Sequence, residues 1–504
     1  MKTKQYVTFL IGLLLAIITN AQQPNFLFIL TDDQTYNAIH AMGNGDIKTP
    51  NMDRLVEEGV TFTNSFNQGS WSGAVCLASR CMLNTGQSVF RAAHNFSYLP
   101  NWGRVEGEKT SVPLWGEVLR ENGYETFLSG KWHLSDTAVL NSFDFAHAIG
   151  EGMYETFDKN GDNQPGYHRE KADDTPWRPW SPEFTGQWTP HVKDILYDEN
   201  GQKKISATYT VQEHTSELYA DNAINYLQTR AKSSDKPFFM YVAFNAPHDP
   251  RQSPKEFVDM YPPATITIPQ NYLPEHPFDQ GDSKIRDEQI APFPRSKDAV
   301  QLHLSEYYAI ITHADREIGR ILKALKESGK GGNTYVILTS DHGLAVGQHG
   351  LMGKQNQYDH SVRMPLVIAG PGLKPGKKVE EMVYMQSMFA TTCDLAGIKI
   401  PETVDFKSLK PLMTMEQAKG EDYILGAYKD LQRMVRSQKF KLIVYPKVGK
   451  IQLFDVANDP LEMNDLANEP TFRSVKKKLI TKLKKQQKEM GDPLDLKPYF
   501  PDSF

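Results

Sequence analysis

Cysteine is scarce, with three in 504 residues. So small and odd a number excludes a disulfide framework. Long apolar runs are scarce as well. The one continuous run, residues 7–18, is too short for a comfortable membrane span, which excludes a multi-span membrane chain. Repeats and low-complexity tracts are missing, and with them solenoid and collagen-like folds. Excess positive charge is missing too. Lys and Arg number 56 against 61 Asp and Glu, for a net charge of −5. A net acidic chain has no global field to attract nucleic acid. What remains is an ordinary globular composition, 39% hydrophobic and 23% charged. The length allows one large domain and one or two smaller ones.

The first residues read as a leader. Met1-Lys2-Thr3-Lys4 is basic, 7–18 is apolar, and Thr19-Asn20-Ala21 is a small-x-small cleavage site. This predicts export, to a periplasm or the outside, after cleavage near Ala21. A membrane anchor is the competing reading. No Cys precedes Cys76, so a lipid-bearing cysteine is not expected. Removal of the leader takes away Lys2 and Lys4 and no acid, leaving −7. An exported protein with few cysteines leaves any one of them free for work other than crosslinking.

Short apolar runs at 25–30, 124–128, 237–244, 334–338 and 365–368 predict buried strands. Helical spacing predicts helices over 51–58, 112–121, 213–231 and 299–327. Their alternation predicts an α/β fold, a doubly wound and mostly parallel sheet flanked by helices. Residues 140–210 and 262–297, rich in Pro, Gly, Trp and His, predict long loops. After about 405 the pattern changes to short strands at 423–427, 432–436, 441–444 and 452–454, then an amphipathic Lys-rich helix near 471–489. The expected domains are therefore a leader at 1–21, a catalytic domain at 22–405 and a C-terminal α+β subdomain with an antiparallel sheet at 406–504.

In an open α/β sheet, ligands bind beyond the carboxyl ends of the strands. Four predicted strands end in polar residues: Asp32-Asp33, Lys131-Trp132-His133, His248-Asp249 and Asp341-His342. Any one alone reads as a surface turn. Four together predict a site. The carboxylates offer hard oxygen ligands for Ca²⁺ or Mg²⁺. His342 alone hints at zinc, but HExxH and paired CxxC motifs are missing. His133 and His248 suit proton transfer, and Lys131 and Lys354 suit an anion. Together they equip a site to cleave a phosphate or sulfate ester.

Cys76-Leu77-Ala78-Ser79-Arg80, followed by Leu83, Thr85 and Gly86, resembles the signature of type I sulfatases, the formylglycine-dependent branch of the alkaline phosphatase superfamily. The resemblance continues in order through 25–34, Thr49-Pro50-Asn51-Met52-Asp53-Arg54-Leu55, Gly130-Lys131-Trp132-His133, Ala246-Pro247-His248, Ser340-Asp341-His342-Gly343, Gly353-Lys354 and Leu453-Phe454-Asp455. It covers nearly the whole mature chain and implies the alkaline phosphatase-like sulfatase fold. It departs from the commonest signature at Ala78, where Pro is usual. That variant points to a radical-type anaerobic maturase. Cys81 and Cys393 read as small apolar packing residues.

The resemblance implies that a separate maturase oxidises Cys76 to Cα-formylglycine, hydrated to a geminal diol. It implies one Ca²⁺ held by Asp32, Asp33, residue 76, Asp341 and His342. Arg80 then helps activate the nucleophile, Lys131 and Lys354 hold the sulfate, and His248 protonates the leaving alcohol. His133 removes the second hydroxyl proton so that sulfate is expelled. The expected substrate is a sulfated polysaccharide or its oligosaccharides, such as an algal polymer or a glycosaminoglycan. Arg251, His168, Arg178 and His191 are candidate sugar contacts, with Trp177 and Trp180 as aromatic faces. An arylsulfatase, or a phosphonate or phosphate ester hydrolase of the same superfamily, is the alternative. An inactive glycan-binding relative is the remote one. Neither nucleic acid nor stable membrane insertion is expected.

Overall fold

The computed structural model describes residues 23–98, 112–151 and 166–504. The leader at 1–21 and part of the 140–210 stretch lie outside them. An eleven-stranded mixed sheet forms the centre. Five neighbours in it are parallel, in the order Thr334–Ser340, Asn25–Thr31, Phe238–Ala243, Glu125–Lys131 and Phe145–Gly150. Asn25–Thr31 is central, with Phe26 opposite Phe239 and Tyr335. Its side chains alternate between the faces. Leu27 and Ile29 join a core with Ile310, Ile311 and Ile318 of the helix Lys297–Glu327, and with Ala220 and Ala223 of the helix Thr215–Tyr226. Phe26, Phe28 and Leu30 join a second core with Trp115, Cys81, Leu83 and Phe389. Both faces are covered, which is why this strand reads as an unbroken apolar run.

The expected parallel pattern holds at the centre and gives way at the edges. Leu366–Ala369 runs antiparallel to Thr334–Ser340, and Val60–Phe66 antiparallel to Leu366–Ala369. Lys377–Tyr384 pairs in parallel with Val60–Phe66.

The expectation of loops over 140–210 requires correction. The helix Asp136–Ser142 and the strand Phe145–Gly150 occupy its start. His191–Lys193, Ile195–Tyr197, Lys203–Ile205 and Tyr209–Thr210 are strands further on. These last four have two or three residues each, and most face solvent on one side. None carries an apolar run longer than the three residues Ile195–Tyr197, and neighbouring strands impose the extended backbone. The 262–297 stretch is irregular apart from two short 3₁₀ turns.

The C-terminal sheet is Ile424–Tyr428, Gln432–Arg436, Lys441–Tyr445 and Lys450–Phe454, all antiparallel. Its fifth strand, Gly69–Ser70, pairs in parallel with Ile424–Tyr428 and belongs to the segment leading into Cys76. The helix Arg473–Met490 covers the sheet's outer face through Leu479, Ile480 and Leu483. Cys81 and Cys393 are buried in apolar core, and all three cysteines are free. Among the described residues no helix is long and apolar enough to cross a membrane.

Candidate active site

Three parallel strands end at one point on the sheet's carboxyl edge. Asp32 and Asp33 follow Asn25–Thr31, Asp341 follows Thr334–Ser340, and Lys131 closes Glu125–Lys131. The neighbouring strands approach closely where Lys131 begins. A Cβ at Gly130 would lie 2.0 Å from the Ala243 carbonyl oxygen, so only glycine fits. Asp33 and His133 both hold left-handed backbone, at φ 72° and 64°. Non-glycine residues rarely adopt this region, and at functional sites it re-aims a side chain.

Cys76 arrives from the opposite side, as the second residue of the helix Val75–Thr85. Arg80 lies four residues on, one turn deeper on the same face. Cys76 Sγ is 3.0 Å from Asp32 Oδ1 and 3.5 Å from Asp33 Oδ1. Lys354 Nζ donates to Asp33 Oδ2 at 2.6 Å and stands 3.0 Å from the sulfur. Lys131 Nζ is 2.5 Å from Asp32 Oδ2. Arg80 forks between Asp32 and Asp341, at 2.9 Å to each, and its Nη1 donates to the Lys131 carbonyl. Every one of these side chains is buried.

Three carboxylates thus meet three cations in a buried cluster. Burial pushes the Asp33 carboxyl up to about 8, with Asp32 and Asp341 adding to the push against Lys354. Burial and Asp32 also raise Asp341. Asp32 moves the other way, because Lys131 and Arg80 outweigh its burial. The Cys76 thiol is driven well above its usual range by burial and the three carboxylates. Reactive thiols sit where their pKa is lowered, so an unmodified Cys76 is a poor nucleophile here.

His248 turns Nε2 toward Asp33 Oδ2, 3.7 Å away. Its Nδ1 lies 2.7 Å from the Asp249 carbonyl oxygen, which calls for the proton on Nδ1. Burial and then Lys354 lower His248 to about 3. His133 is also lowered by burial and by Lys131, and its Nδ1 is buried with no hydrogen-bond partner. His342 directs Nδ1 to the Gly343 carbonyl oxygen at 3.1 Å.

Ligand atoms of Asp32, Asp33, Cys76 and His248 all lie within 4.8 Å of one another. Asp341 borders this group, with its Oδ1 accepting from the Asp33 amide at 3.2 Å. The carboxylate oxygens of this set suit a hard divalent cation. The charge fits as well. With all three carboxylates ionised they cancel the three cations, and a divalent ion would then make the cluster positive, as an anionic ester requires. A second cluster, Glu217, His313 and Glu317, differs. Arg316 and Arg320 already occupy its carboxylates.

The candidate sugar contacts have different surroundings. Arg251 is buried against His303 and the Tyr307 ring. Arg178 spends Nη1 on the carbonyls of Ala172, Thr175 and Trp177. His191 is exposed and 2.8 Å from the Thr210 hydroxyl, and His168 is exposed. Trp177 is buried under Arg169. Sequence reasoning missed the layer behind the site. Asp287 stands 4.0 Å from Lys354 and accepts from Gln355 at 2.8 Å. Asp249 is held by Tyr167 and Arg286. Asn67 and Ser79 both donate to the Asp341 carbonyl, at 2.6 and 2.7 Å. Only Ser79 and Asp249, each inside a motif, carried a signal.

The sulfatase family model matches residues 24–398, and the model of the N-sulphoglucosamine sulphohydrolase C-terminal region matches 347–489. An arylsulfatase of Clostridium perfringens is 28% identical over 95% of this chain and 98% of its own length. An N-acetylglucosamine-6-O-sulfatase of Bacteroides thetaiotaomicron is 26% identical over 94% of this chain and 87% of its own. A structure solved with its substrate D-glucosamine-2-N,6-O-disulfate shares the fold, with a TM-score of 0.69, 23% identity, and coverage of 94% of this chain and 99% of that one. A phosphonate monoester hydrolase of Agrobacterium radiobacter shares it equally, with a TM-score of 0.69, 20% identity, and coverage of 93% and 96%. Since the family model spans most of the chain, this protein belongs to the sulfatase family and is a hydrolase of sulfuric esters.

Proposed function

We propose that this enzyme removes sulfate from a sulfated polysaccharide or its oligosaccharides, using residue 76 as Cα-formylglycine together with Ca²⁺. One observation carries the reading: Cys76 Sγ is enclosed by Asp32, Asp33 and Lys354, with Arg80 one turn behind. Sγ marks where an oxygen on Cβ would stand. The hydrated aldehyde offers a hydroxyl nucleophile there and a second hydroxyl whose deprotonation re-forms the carbonyl as the bond from Cβ to the sulfated oxygen breaks and sulfate leaves, which a thiol lacks.

Asp32, Asp33 and Asp341 would hold Ca²⁺, with residue 76 and His342 completing its surroundings. When bound, the ion supplies positive charge against the sulfate oxygens. Lys131 and Lys354 supply the remaining charge from opposite sides of the same carboxylate pair. Arg80 does not need to touch substrate. Its fork locks Asp32 and Asp341 in one geometry, and the Val75–Thr85 helix presents its N-terminal end to the anion.

His248 is the acid for the departing alcohol. Its Nε2 faces the pocket, while the Asp249 carbonyl fixes its tautomer. Burial depresses it most and Lys354 next, and a bound anionic ester opposes the lysine. His133, with a free buried nitrogen, takes the proton of the second hydroxyl.

The sugar assignment is supported by the names of relatives: an N-acetylglucosamine-6-O-sulfatase and an ulvan-active sulfatase. The phosphonate hydrolase neighbour makes a phosphonate ester the competing substrate. Export after cleavage near Ala21, and conversion of Cys76 by a separate maturase, belong to the same proposal. The test is turnover of a panel of position-defined sulfated sugars and one phosphonate ester, with peptide mass spectrometry at position 76. Cys76→Ser, made in a host that does not oxidise serine, is expected to fold and bind but turn over poorly. Hydrolysis by that variant at the wild-type rate would sink the formylglycine reading.

A further inference from the structure

The helix Arg473–Met490 concentrates charge that the rest of the molecule lacks. It carries eight Lys and Arg against one acid, so the remainder of the chain is at −12 when the whole is at −5. Its apolar side is committed: Leu479, Ile480 and Leu483 pack on Leu425, Val435 and Leu442 of the C-terminal sheet. The other side holds exposed Arg473, Lys477, Lys478, Lys484, Lys485 and Lys488. At 100° per residue, Arg473, Lys477, Lys484 and Lys488 form one line along the helix, about 22 Å from end to end. Of the six, only Lys485 has a carboxylate within ion-pair distance among the described residues, Glu489 at 3.5 Å. Surface helices usually balance such charges with acids one turn away.

The line also leads somewhere. The helix stops at Gly491, in the left-handed conformation, one turn past Lys488. Gly491 and Pro493 line a cleft of about 810 Å³ whose other walls include Ser70, Trp71, Phe90 and Lys429. Trp71 lies five residues before Cys76, on the segment that enters the active site. A basic track thus runs from the far end of the helix to a cleft with aromatic walls bordering the Cys76 segment.

We propose that this helix is a docking surface for the sulfated polymer itself, remote from the bond being cleaved. The surface suits a flexible chain with repeated anionic groups. Each contact releases counterions, so several lysines in line bind a polymer well and a single sulfated sugar hardly at all. The proposal rests on the sulfated-glycan reading of the active site. It adds that the enzyme takes long chains.

The experiment compares the wild type with Arg473→Gln/Lys477→Gln/Lys484→Gln/Lys488→Gln, checked by thermal melting. A milder Lys477→Gln/Lys484→Gln pair serves if the full variant melts lower. Binding is measured to dextran sulfate, unsulfated dextran, phosphatidylglycerol vesicles and duplex DNA across a salt series. The wild type is expected to prefer dextran sulfate. The variant is expected to bind it at least tenfold more weakly, with a log–log salt slope shallower by about three units. Turnover of a sulfated monosaccharide stays unchanged in both. Equal affinity and slope in the two proteins overturns the proposal. So does tighter wild-type binding to vesicles or DNA, which makes the helix a surface for another partner. Helix-dependent binding of dextran sulfate, with no turnover of any sulfated sugar, supports the docking surface and overturns the active-site reading instead.

Discussion

Two buried charge clusters come within five residues of each other along the chain, at Lys354 and Asp359, and they are built for opposite ends. Around Cys76, Asp32, Asp33 and Asp341 meet Arg80, Lys131 and Lys354. At the seam with the C-terminal sheet, Asp359 and Glu462 meet Lys441 and Arg436. At the seam, burial pushes Asp359 up, but Arg436 and Lys441 outweigh it and hold the carboxyl well below its usual range. Lys441 Nζ bridges the two acids at 2.8 and 2.6 Å, and Glu462 also accepts the Asp359 amide at 2.7 Å. Burial raises one carboxyl in each cluster despite a lysine at 2.6 Å, Asp33 to about 8 and Glu462 to about 7; what the site adds is Cys76 and two histidines, His133 and His248, whose burial lowers them. Acid–cation pairs of the same kind therefore make a fastener in one place and the surroundings of a cysteine in the other. The difference is that the site sets its carboxylates against Cys76 and His248 as well as cations, whereas the seam sets them against cations alone.

The largest expected effect that separates the two is on turnover. His248→Ala should lower kcat by about 10²–10⁴ on a sulfated sugar, whose alcohol needs a proton, and far less on a nitrophenyl sulfate. Steady-state rates on both substrates check this, and equal losses would show that His248 is not the acid. At the seam the same scale of damage should appear as lost stability. Lys441→Met leaves Asp359 and Glu462 poorly paired and should cost about 3–5 kcal/mol, with KM unchanged in whatever enzyme stays folded. Urea denaturation beside kinetics tests it.

Ca²⁺ should act on the site alone. At a hundredfold excess over its Kd it should stabilise the protein by about 2.7 kcal/mol, an increment that Asp33→Asn largely removes and Lys441→Met retains. Melting curves with and without chelator report it. The smallest effect is in the pH dependence. Burial raises Glu462 to about 7 in the folded protein, from the ordinary glutamate value of 4.5. A raised folded pKa gives stability that is complete below the unfolded value and is lost as pH climbs through the folded one. Wild-type stability should therefore decline between about pH 4.5 and 7 by more than that of Glu462→Gln. Parallel curves for the two proteins would remove Glu462 as the cause.

Much of this molecule was legible in its sequence because burial on both faces writes an unbroken apolar run. Asn25–Thr31, Phe238–Ala243 and Thr334–Ser340 fall where such runs are, and the polar residues just past them mark the sheet's carboxyl edge. The helix Lys297–Glu327 was legible through its 3.6-residue spacing. The short strands from His191 to Thr210 were not, because two or three residues with one wet face carry no period, and only a neighbouring strand makes them extended.

The sequence by itself settled which residues could do chemistry: acids, lysines and histidines after four strands, and a cysteine four residues before an arginine. Only the tertiary structure decided how they meet. Lys354 is 278 residues from Cys76 and 321 from Asp33, yet its one ammonium lies against both. Gly69–Ser70, just ahead of Cys76, is fastened to a strand more than 350 residues away, so the C-terminal sheet helps position the catalytic segment. No local pattern encodes such pairings, because they follow from packing two apolar faces of one sheet and from the cost of burying a charge without its partner.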